Sequence, residues 1–166
     1  MELRRPTLAD KETVLDMMAE FEATQSAHDG GFWNAEAFVY EDWLETNMQK
    51  EMGINLPENR VPSIQFVSFD DVGSALGFLN LRLRLNEGLL NYAGHIGYSI
   101  RPSERGKGYA KESLRQGLQV AKGKNIKRAL VTCSTENPAS RAVILANGGE
   151  LEDVRNGTER YWIDLE

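Results

Sequence analysis

The middle of the chain alternates apolar and polar positions with a period of two. Every second position from 79 to 85 is leucine, and the positions between are asparagine or arginine, which is typical of a strand with one buried face. The segments SIQFVSF (63–69) and YAGHIGYSI (92–100) lie on either side, and short turns join the three. We therefore predict three consecutive strands in an antiparallel meander.

Elsewhere the apolar positions recur every three or four residues, which predicts four helices. The first runs from a cap at Thr7 to about Thr24, and the second begins at Asn34. The third covers residues 108–123, and the fourth covers 137–149, with Pro138 in its first turn and glycines after its end.

Four further strands complete the pattern. ELRRP opens the chain, IKRALVTC (126–133) reads as a buried strand, and Asn156-Gly157 predicts a hairpin over 149–165. The order becomes β-α-α-β-β-β-α-β-α-β-β, an α/β fold with a mixed, mostly antiparallel twisted sheet flanked by helices. With no repeat or linker, residues 1–166 are expected to form a single domain.

Composition excludes several classes of protein. The net charge is −6, which argues against a nucleic-acid partner. No apolar stretch is long enough for a membrane span, and no signal-peptide pattern follows Met1, so we expect a cytoplasmic protein without a membrane partner. A single cysteine excludes a disulfide framework, and with only two histidines no metal site is expected.

A basic, glycine-containing turn is the most informative segment. Between Arg101 and Arg115 there are five basic and two acidic residues, and Gly106 and Gly108 directly precede the third helix. Glycines permit close backbone approach, and the free N–H groups of a helix start favour an anion. We interpret the turn as a phosphate site. It matches neither the Walker loop nor the dinucleotide fingerprint, which needs a third glycine and a βαβ unit.

Here the chain resembles the GNAT superfamily of N-acetyltransferases. The segment RGKGYA (105–110) looks like the family's R-x-x-G-x-G/A signature, and CSTENPASRAVILANGG (133–149) looks like its second half-site. GHIGY, the following RP and the terminal RYWI strengthen the resemblance to bacterial members. The predicted order of elements is similar to that fold along nearly the whole chain.

The resemblance implies acetyl-CoA as the donor, a primary amine as the acceptor, and direct attack in a ternary complex. Backbone groups near the end of the fourth strand would contact the pantetheine arm and stabilise the thioester oxygen. The glycine turn would hold the pyrophosphate. The implied cofactor-binding residues are Ser99, Ile100, Arg105, Gly106, Lys107, Gly108, Tyr109, Ala110, Asn137 and Ser140.

The catalytic residues are less clearly indicated. His95 is the candidate base, because an imidazole suits proton transfer near neutral pH; alternatively it is hydrogen-bonded within the sheet. Many family members carry a tyrosine acid seven residues after the asparagine, where this chain has Ile144. Tyr161 is a substitute candidate acid, and transfer without a dedicated acid is the other possibility. Tyr98 and Cys133 are expected to be structural.

The first sixty residues carry a net charge of −8. In the family, the first two helices and their loop line the acceptor cleft, so an acidic, aromatic cleft would suit a polyamine, an aminoglycoside or a basic peptide. Alternatively, these side chains are solvated helix faces. The residues concerned are Glu20, Glu22, His28, Asp29, Trp33, Glu36, Glu41, Asp42 and Glu45.

Two other functions stay open at this point. One is a catalytically silent module that binds acyl-CoA for regulation, which the loss of the usual tyrosine at position 144 favours. The other is a different enzyme with a phosphate-bearing ligand. O-acetyl transfer and longer acyl donors are compatible with the main hypothesis. A homodimer through the C-terminal strands, including residues 161–163, is a further possibility.

Overall fold

A computed structural model describes residues 1–166 and has the predicted order of elements. Short 3-10 turns at Leu8–Asp10 and Pro102–Glu104 and a π-helical turn at Leu89–Ala93 lie between them. The helices are α1 (Lys11–Ala23), α2 (Tyr40–Met52), α3 (Tyr109–Gly123) and α4 (Pro138–Ala146). The strands are β1 (Glu2–Arg4), β2 (Ser63–Phe69), β3 (Ala75–Arg82), β4 (Ile96–Ile100), β5 (Arg128–Ser134), β6 (Glu150–Arg155) and β7 (Thr158–Asp164). None of the helices has the length and apolar character needed to cross a membrane.

The strands form two antiparallel sheets. One has the order β1-β2-β3-β4, which confirms the predicted meander, and the other has the order β5-β7-β6. The sheets meet near the start of β4, where the His95 N–H donates to the Leu130 carbonyl at 2.7 Å. Beyond that contact β4 and β5 form no ladder. The open cleft between them holds the candidate site.

Two apolar clusters cover opposite faces of β3. Leu79 and Leu81 pack with α3, α4 and the second sheet, whereas Phe78 packs with α1 and α2. The prediction of a polar outer face was therefore wrong: Asn80 is only 4% exposed and donates to the Gln65 Oε1 at 3.3 Å. β3 also ends at Arg82 rather than Leu85. The alternation detected the strand but could not show that the first two helices cover its polar side.

Other predicted boundaries also shift. α1 begins at Lys11, because the Thr7 N–H bonds to the Asp10 carboxylate at 2.8 Å and a short 3-10 turn comes first. α2 begins at Tyr40 and not at Asn34, whose side chain accepts locally from the Glu36 N–H at 3.0 Å. Local hydrogen bonds of this kind compete with helix formation.

The apolar stretch at the C-terminus belongs to the interior of the protein. Tyr161 and Ile163 are buried in the core cluster, and the Trp162 ring lies 4.8 Å from the Arg128 guanidinium. Tyr161 and Ile163 are therefore core residues, Trp162 is half-buried, and the homodimer through the C-terminal strands stays a prediction. The exposed Leu151 and Val154 lie on β6, at the edge of the second sheet.

Candidate functional site

The glycine turn before α3 has the properties of an anion site. Gly106 and Gly108 have φ of +79° and +84°, and a Cβ at either position would meet no atom within 4 Å. The backbone N–H groups of residues 106–110 have no acceptor within the protein. Open space beside unpaired donors at a helix N-terminus favours a negatively charged group such as a phosphate.

A cavity of about 510 Å³, here named the cofactor cavity, extends from this turn. It is lined by the end of β4, the start of α4 and three residues of the loop after α1, namely Ser26, Ala27 and Asp29. It brings together nine of the ten predicted cofactor-binding residues. The exception is Lys107, whose Nζ pairs with the Glu104 carboxylate at 2.7 Å. The set therefore fits a long ligand with an anionic end.

The open edge of β4 offers backbone groups to such a ligand. The Arg101 N–H donates to the Leu76 carbonyl at 2.8 Å, so odd-numbered residues pair with β3 in the alternating ladder. Tyr98 and Ile100 therefore direct their backbone groups to the other side. The Ile100 carbonyl there accepts from the Arg105 Nε at 2.9 Å. Ser99 contributes its hydroxyl, which is buried and has no partner.

A second cavity of about 630 Å³ adjoins the cofactor cavity, and we name it the acceptor cavity. The two share Asp29, Tyr98, Asn137 and Ser140. The rest of the acceptor cavity comes from several elements: the end of β3, the π-helical turn, the start of β4, the end of β5, and the β6–β7 hairpin. A molecule held there would lie next to a molecule held in the cofactor cavity.

Tyr98 and Ser140 form the boundary between the cavities. The Tyr98 hydroxyl lies 2.9 Å from the Ser140 Oγ, and burial raises the pKa of Tyr98 to about 12. Asn137 supports this contact, because its Oδ1 caps α4 by accepting from the Ser140 N–H at 3.1 Å. The sequence analysis placed Tyr98 in the core. Its partner is 42 residues away, and no local pattern links the two.

His95 lies where the two sheets meet. Its Nδ1 accepts the Leu130 N–H at 2.9 Å, and it is 6% exposed. Burial, together with the positive charge of Arg82, lowers the pKa of His95 to about 4. A neutral ring whose Nδ1 is an acceptor carries its proton on Nε2. Neither nitrogen is then available as a base, and the geometry agrees with the alternative of a histidine hydrogen-bonded within the sheet.

Tyr161 lines neither cavity. It is 4% exposed, and its hydroxyl donates to the Glu159 carboxylate at 2.9 Å, which also pairs with the Arg141 guanidinium at 2.7 Å. This placement gives the predicted role of acid no geometric support. Ile144 is fully buried in the core.

Cys133 lies at the floor of the acceptor cavity and contacts the same carboxylate. Its Sγ is 3.5 Å from the Glu159 Oε1. Burial, with that hydrogen bond, raises the pKa of the Cys133 thiol to about 11. The thiol therefore stays protonated at neutral pH, and a protonated thiol is a poor nucleophile.

The acidic residues of α1 and α2 line neither cavity. Glu20 accepts from Arg101 and Ser103, Glu22 accepts from the Trp33 indole, and Glu41 pairs with Lys11. Of the nine residues considered, Asp29 is the one that lines the two cavities. No group of three or more His, Cys, Asp or Glu side chains in the molecule could hold a metal ion.

Comparison with known proteins adds a family and a fold. The family model described as "Acetyltransferase (GNAT) domain" matches residues 1–150. No curated protein matches the chain.

Similar solved structures share the fold at low sequence identity. A variant of spermidine N-acetyltransferase SpeG from Vibrio cholerae is 16% identical, with a TM-score of 0.64, over 99% of this chain and 95% of that one. The protein yncA from Salmonella typhimurium, solved with acetyl-CoA, is 16% identical, with a TM-score of 0.63, over 99% and 94%. The GNAT domain of PAT from S. lividans is 15% identical, with a TM-score of 0.64, over 98% and 89%.

Proposed function

The chain belongs to the GNAT acetyltransferases, and on that premise we propose that residues 1–166 act as one N-acetyltransferase domain, with acetyl-CoA as donor and a small primary amine as acceptor. The observation that carries the proposal is the pair of adjoining cavities that share Asp29, Tyr98, Asn137 and Ser140. Donor and acceptor held in separate spaces with a common boundary suit direct transfer in a ternary complex.

The cofactor cavity supplies the binding groups that acetyl-CoA needs. Unpaired N–H groups from Gly106 to Ala110 would hold the pyrophosphate at the start of α3. The backbone of Tyr98 and Ile100 would pair with the amide-containing pantetheine arm, and the Ser99 hydroxyl would find a partner there. An N–H of this edge would also stabilise the negative charge that develops on the thioester oxygen.

Bound acetyl-CoA supplies the acetyl group: the amine nitrogen bonds to the acetyl carbon, the carbon–sulfur bond breaks, and the nitrogen loses a proton while the sulfur gains one. An aliphatic amine has a pKa near 10.4, so its neutral form costs about 4.6 kcal/mol at pH 7. An acceptor that arrives as an ammonium loses two protons in all. Asp29 lies at the boundary of both cavities, where its carboxylate would attract the ammonium and take up the first proton. The second proton leaves the nitrogen once the carbon–nitrogen bond forms, and it balances the proton that the sulfur gains.

Tyr98 is the proposed acid. Its hydroxyl already lies in a hydrogen bond at the boundary, so it would donate to the sulfur as negative charge develops there. The family's usual tyrosine on α4 is absent, and Ser140 of α4 instead contacts a tyrosine from β4. We assign His95 the structural role of joining the two sheets.

Calorimetric titration with acetyl-CoA followed by an amine panel tests this function. We expect saturable binding and release of free coenzyme A thiol, with the acetylated amine identified by mass spectrometry. Binding without transfer to any amine would favour a silent acyl-CoA-binding module. A folded protein that does not bind acetyl-CoA, but does bind ATP, would favour a different enzyme.

A further inference from the structure

Arg82 lines the acceptor cavity and is a charged side chain without a hydrogen-bond or ion-pair partner. It is the last residue of β3, and its Nη1 is fully buried without a hydrogen bond. Burial lowers the pKa of the guanidinium to about 10, which leaves it positively charged at neutral pH. A buried charge without a partner is costly, so an anionic ligand is the simplest way to satisfy it.

The other interior arginines of this protein are paired. Arg160, which is almost fully buried, contacts the carboxylates of Glu152 and Asp153. Arg101 pairs with Glu20 at 3.0 Å. Arg82 has no such carboxylate partner. Its backbone is nevertheless fixed at the end of β3, because the Arg82 N–H donates to the His95 carbonyl at 2.7 Å.

The surroundings hold the guanidinium over the start of β4. A Cβ at Gly97 would lie 3.1 Å from the Arg82 Nη1 and 3.4 Å from its Nη2, so a side chain there would displace it. The Phe32 ring centroid is 5.9 Å from the Arg82 Cζ on another side. Gly97 and Phe32 also line the acceptor cavity. The lining therefore leaves room for the guanidinium, whose Nη1 makes no hydrogen bond there.

Asp29 is the single carboxylate that lines the acceptor cavity. It forms no ion pair with Arg82, although it is near enough for its charge to favour the charged form of that guanidinium. One cation and one anion thus line the same cavity without forming an ion pair. Asp29 also lines the cofactor cavity, whereas Arg82 does not.

We propose that the acceptor is a small amino acid, or a similar amine that carries an acidic group, with its carboxylate on Arg82 and its amine at Asp29. This inference rests on the proposed acetyl transfer and names its substrate class. A guanidinium presents paired N–H donors that match a carboxylate. In this orientation the amine lies at the boundary with the cofactor cavity and the carboxylate lies away from it. Transfer forms the N-acetyl amino acid and coenzyme A thiol.

The same arrangement disfavours polyamines, because a second ammonium group would lie beside Arg82. Like charges in a partly buried site repel each other. The acidic residues of α1 and α2 that pointed to a polycation lie elsewhere and, in the case of Glu20, are already paired.

The test compares acceptors that differ only in the carboxylate. The twenty common amino acids and their decarboxylated amines, including lysine against 1,5-diaminopentane, are assayed for coenzyme A thiol release. For the best pair, we expect kcat/KM to favour the amino acid by about 10- to 100-fold, as a charge-assisted hydrogen-bond pair predicts. Arg82→Gln should raise KM for the amino acid and remove the preference, and Arg82→Lys should retain part of it.

Arg84→Gln is the matched control, since Arg84 is exposed two residues further along and lines neither cavity. It should keep the wild-type preference, and circular dichroism establishes that each variant is folded. Equal or better transfer to the decarboxylated amines would overturn the inference and leave the acetyltransferase function intact. Acetyl-CoA binding with no turnover of either set would also overturn the inference, and would favour the silent acyl-CoA-binding module over an acetyltransferase. Failure of the wild type to bind acetyl-CoA would instead remove the proposed function itself.

Discussion

The two cavities on either side of Tyr98 are built in different ways. Much of the cofactor cavity comes from one stretch of chain, residues 98–111, and it offers mainly backbone N–H groups at a glycine turn. The acceptor cavity is assembled from separate segments between residues 29 and 158, and it offers side chains such as Arg82 and Asp29. A ligand site made from backbone needs glycines in a fixed local order, whereas one made from side chains needs only that the fold bring them together.

The largest expected effect comes from a substitution that blocks the cofactor cavity and leaves the acceptor cavity unchanged. Gly108→Trp places a large side chain at the start of α3, where the present glycine leaves open space. We expect acetyl-CoA affinity to fall by about 100-fold or more, because the unpaired N–H groups become inaccessible. Calorimetric titration of the wild type and the variant measures this.

Gly148→Trp controls for backbone strain. Gly148 has φ of +87°, a Cβ there would meet nothing within 4 Å, and it lines neither cavity. This substitution should therefore lower the stability of the fold by a similar amount without lowering the affinity for acetyl-CoA. Equal loss of binding in both variants would mean that strain, and not the blocked anion site, explains the result.

The next effect acts at the boundary between the cavities. Tyr98→Phe removes the hydroxyl near Ser140 and should lower kcat by about 100-fold, the usual scale for loss of a general acid. Acetyl-CoA affinity should change little. Steady-state kinetics and titration together separate these two quantities.

Tyr161→Phe provides the contrast for that prediction. Its hydroxyl bonds to Glu159 inside the core, so we expect a normal kcat. If kcat falls in Tyr161→Phe and is retained in Tyr98→Phe, the two assignments must be exchanged.

The smallest effect concerns His95, where the two sheets meet. The His95 pKa of about 4 lies below its unfolded value near 6.5, so the unfolded chain takes up the proton first as pH falls. The contribution of His95 is complete above about pH 6.5 and is lost as pH falls toward 4. Between pH 7 and pH 5 this amounts to a loss of about 2 kcal/mol in the free energy of unfolding.

His95→Gln should remove that pH dependence, because glutamine still offers an acceptor to the Leu130 N–H and does not titrate. Urea unfolding at pH 7 and pH 5 measures the free energies of both proteins. A wild-type difference that persists unchanged in the variant would show that other groups cause it.

The order of elements and the glycine turn were predictable from the sequence, because both depend on local patterns. Strand alternation, helical stripes and Asn156-Gly157 each specify a nearby backbone conformation. The start of α2 was not predictable, since Asn34 caps a local turn and the helix begins at Tyr40. The face of β3 that bears Asn80 was also misread, because its burial depends on helices distant in sequence.

The residues of the candidate site also divide into those that the sequence indicated and those that only the structure identified. Gly106 and Gly108 were identified from their own neighbourhood and Asn137 from the family resemblance, and all three line the cofactor cavity. Tyr98 and Arg82 have no distinguishing neighbours in the sequence. Their significance comes from Ser140 across the cleft and from the missing hydrogen-bond partner of the buried guanidinium nitrogen.

Local patterns in the amino-acid sequence thus determine the α/β order, the meander, the glycine turn before α3 and membership of an acetyltransferase family. Only the tertiary structure decides that His95 joins two sheets, that Tyr98 separates two cavities, and that Arg82 is buried without a partner. The physical reason is range: backbone conformation depends mainly on adjacent residues, whereas burial and pairing of charges depend on groups that meet only after the chain has folded.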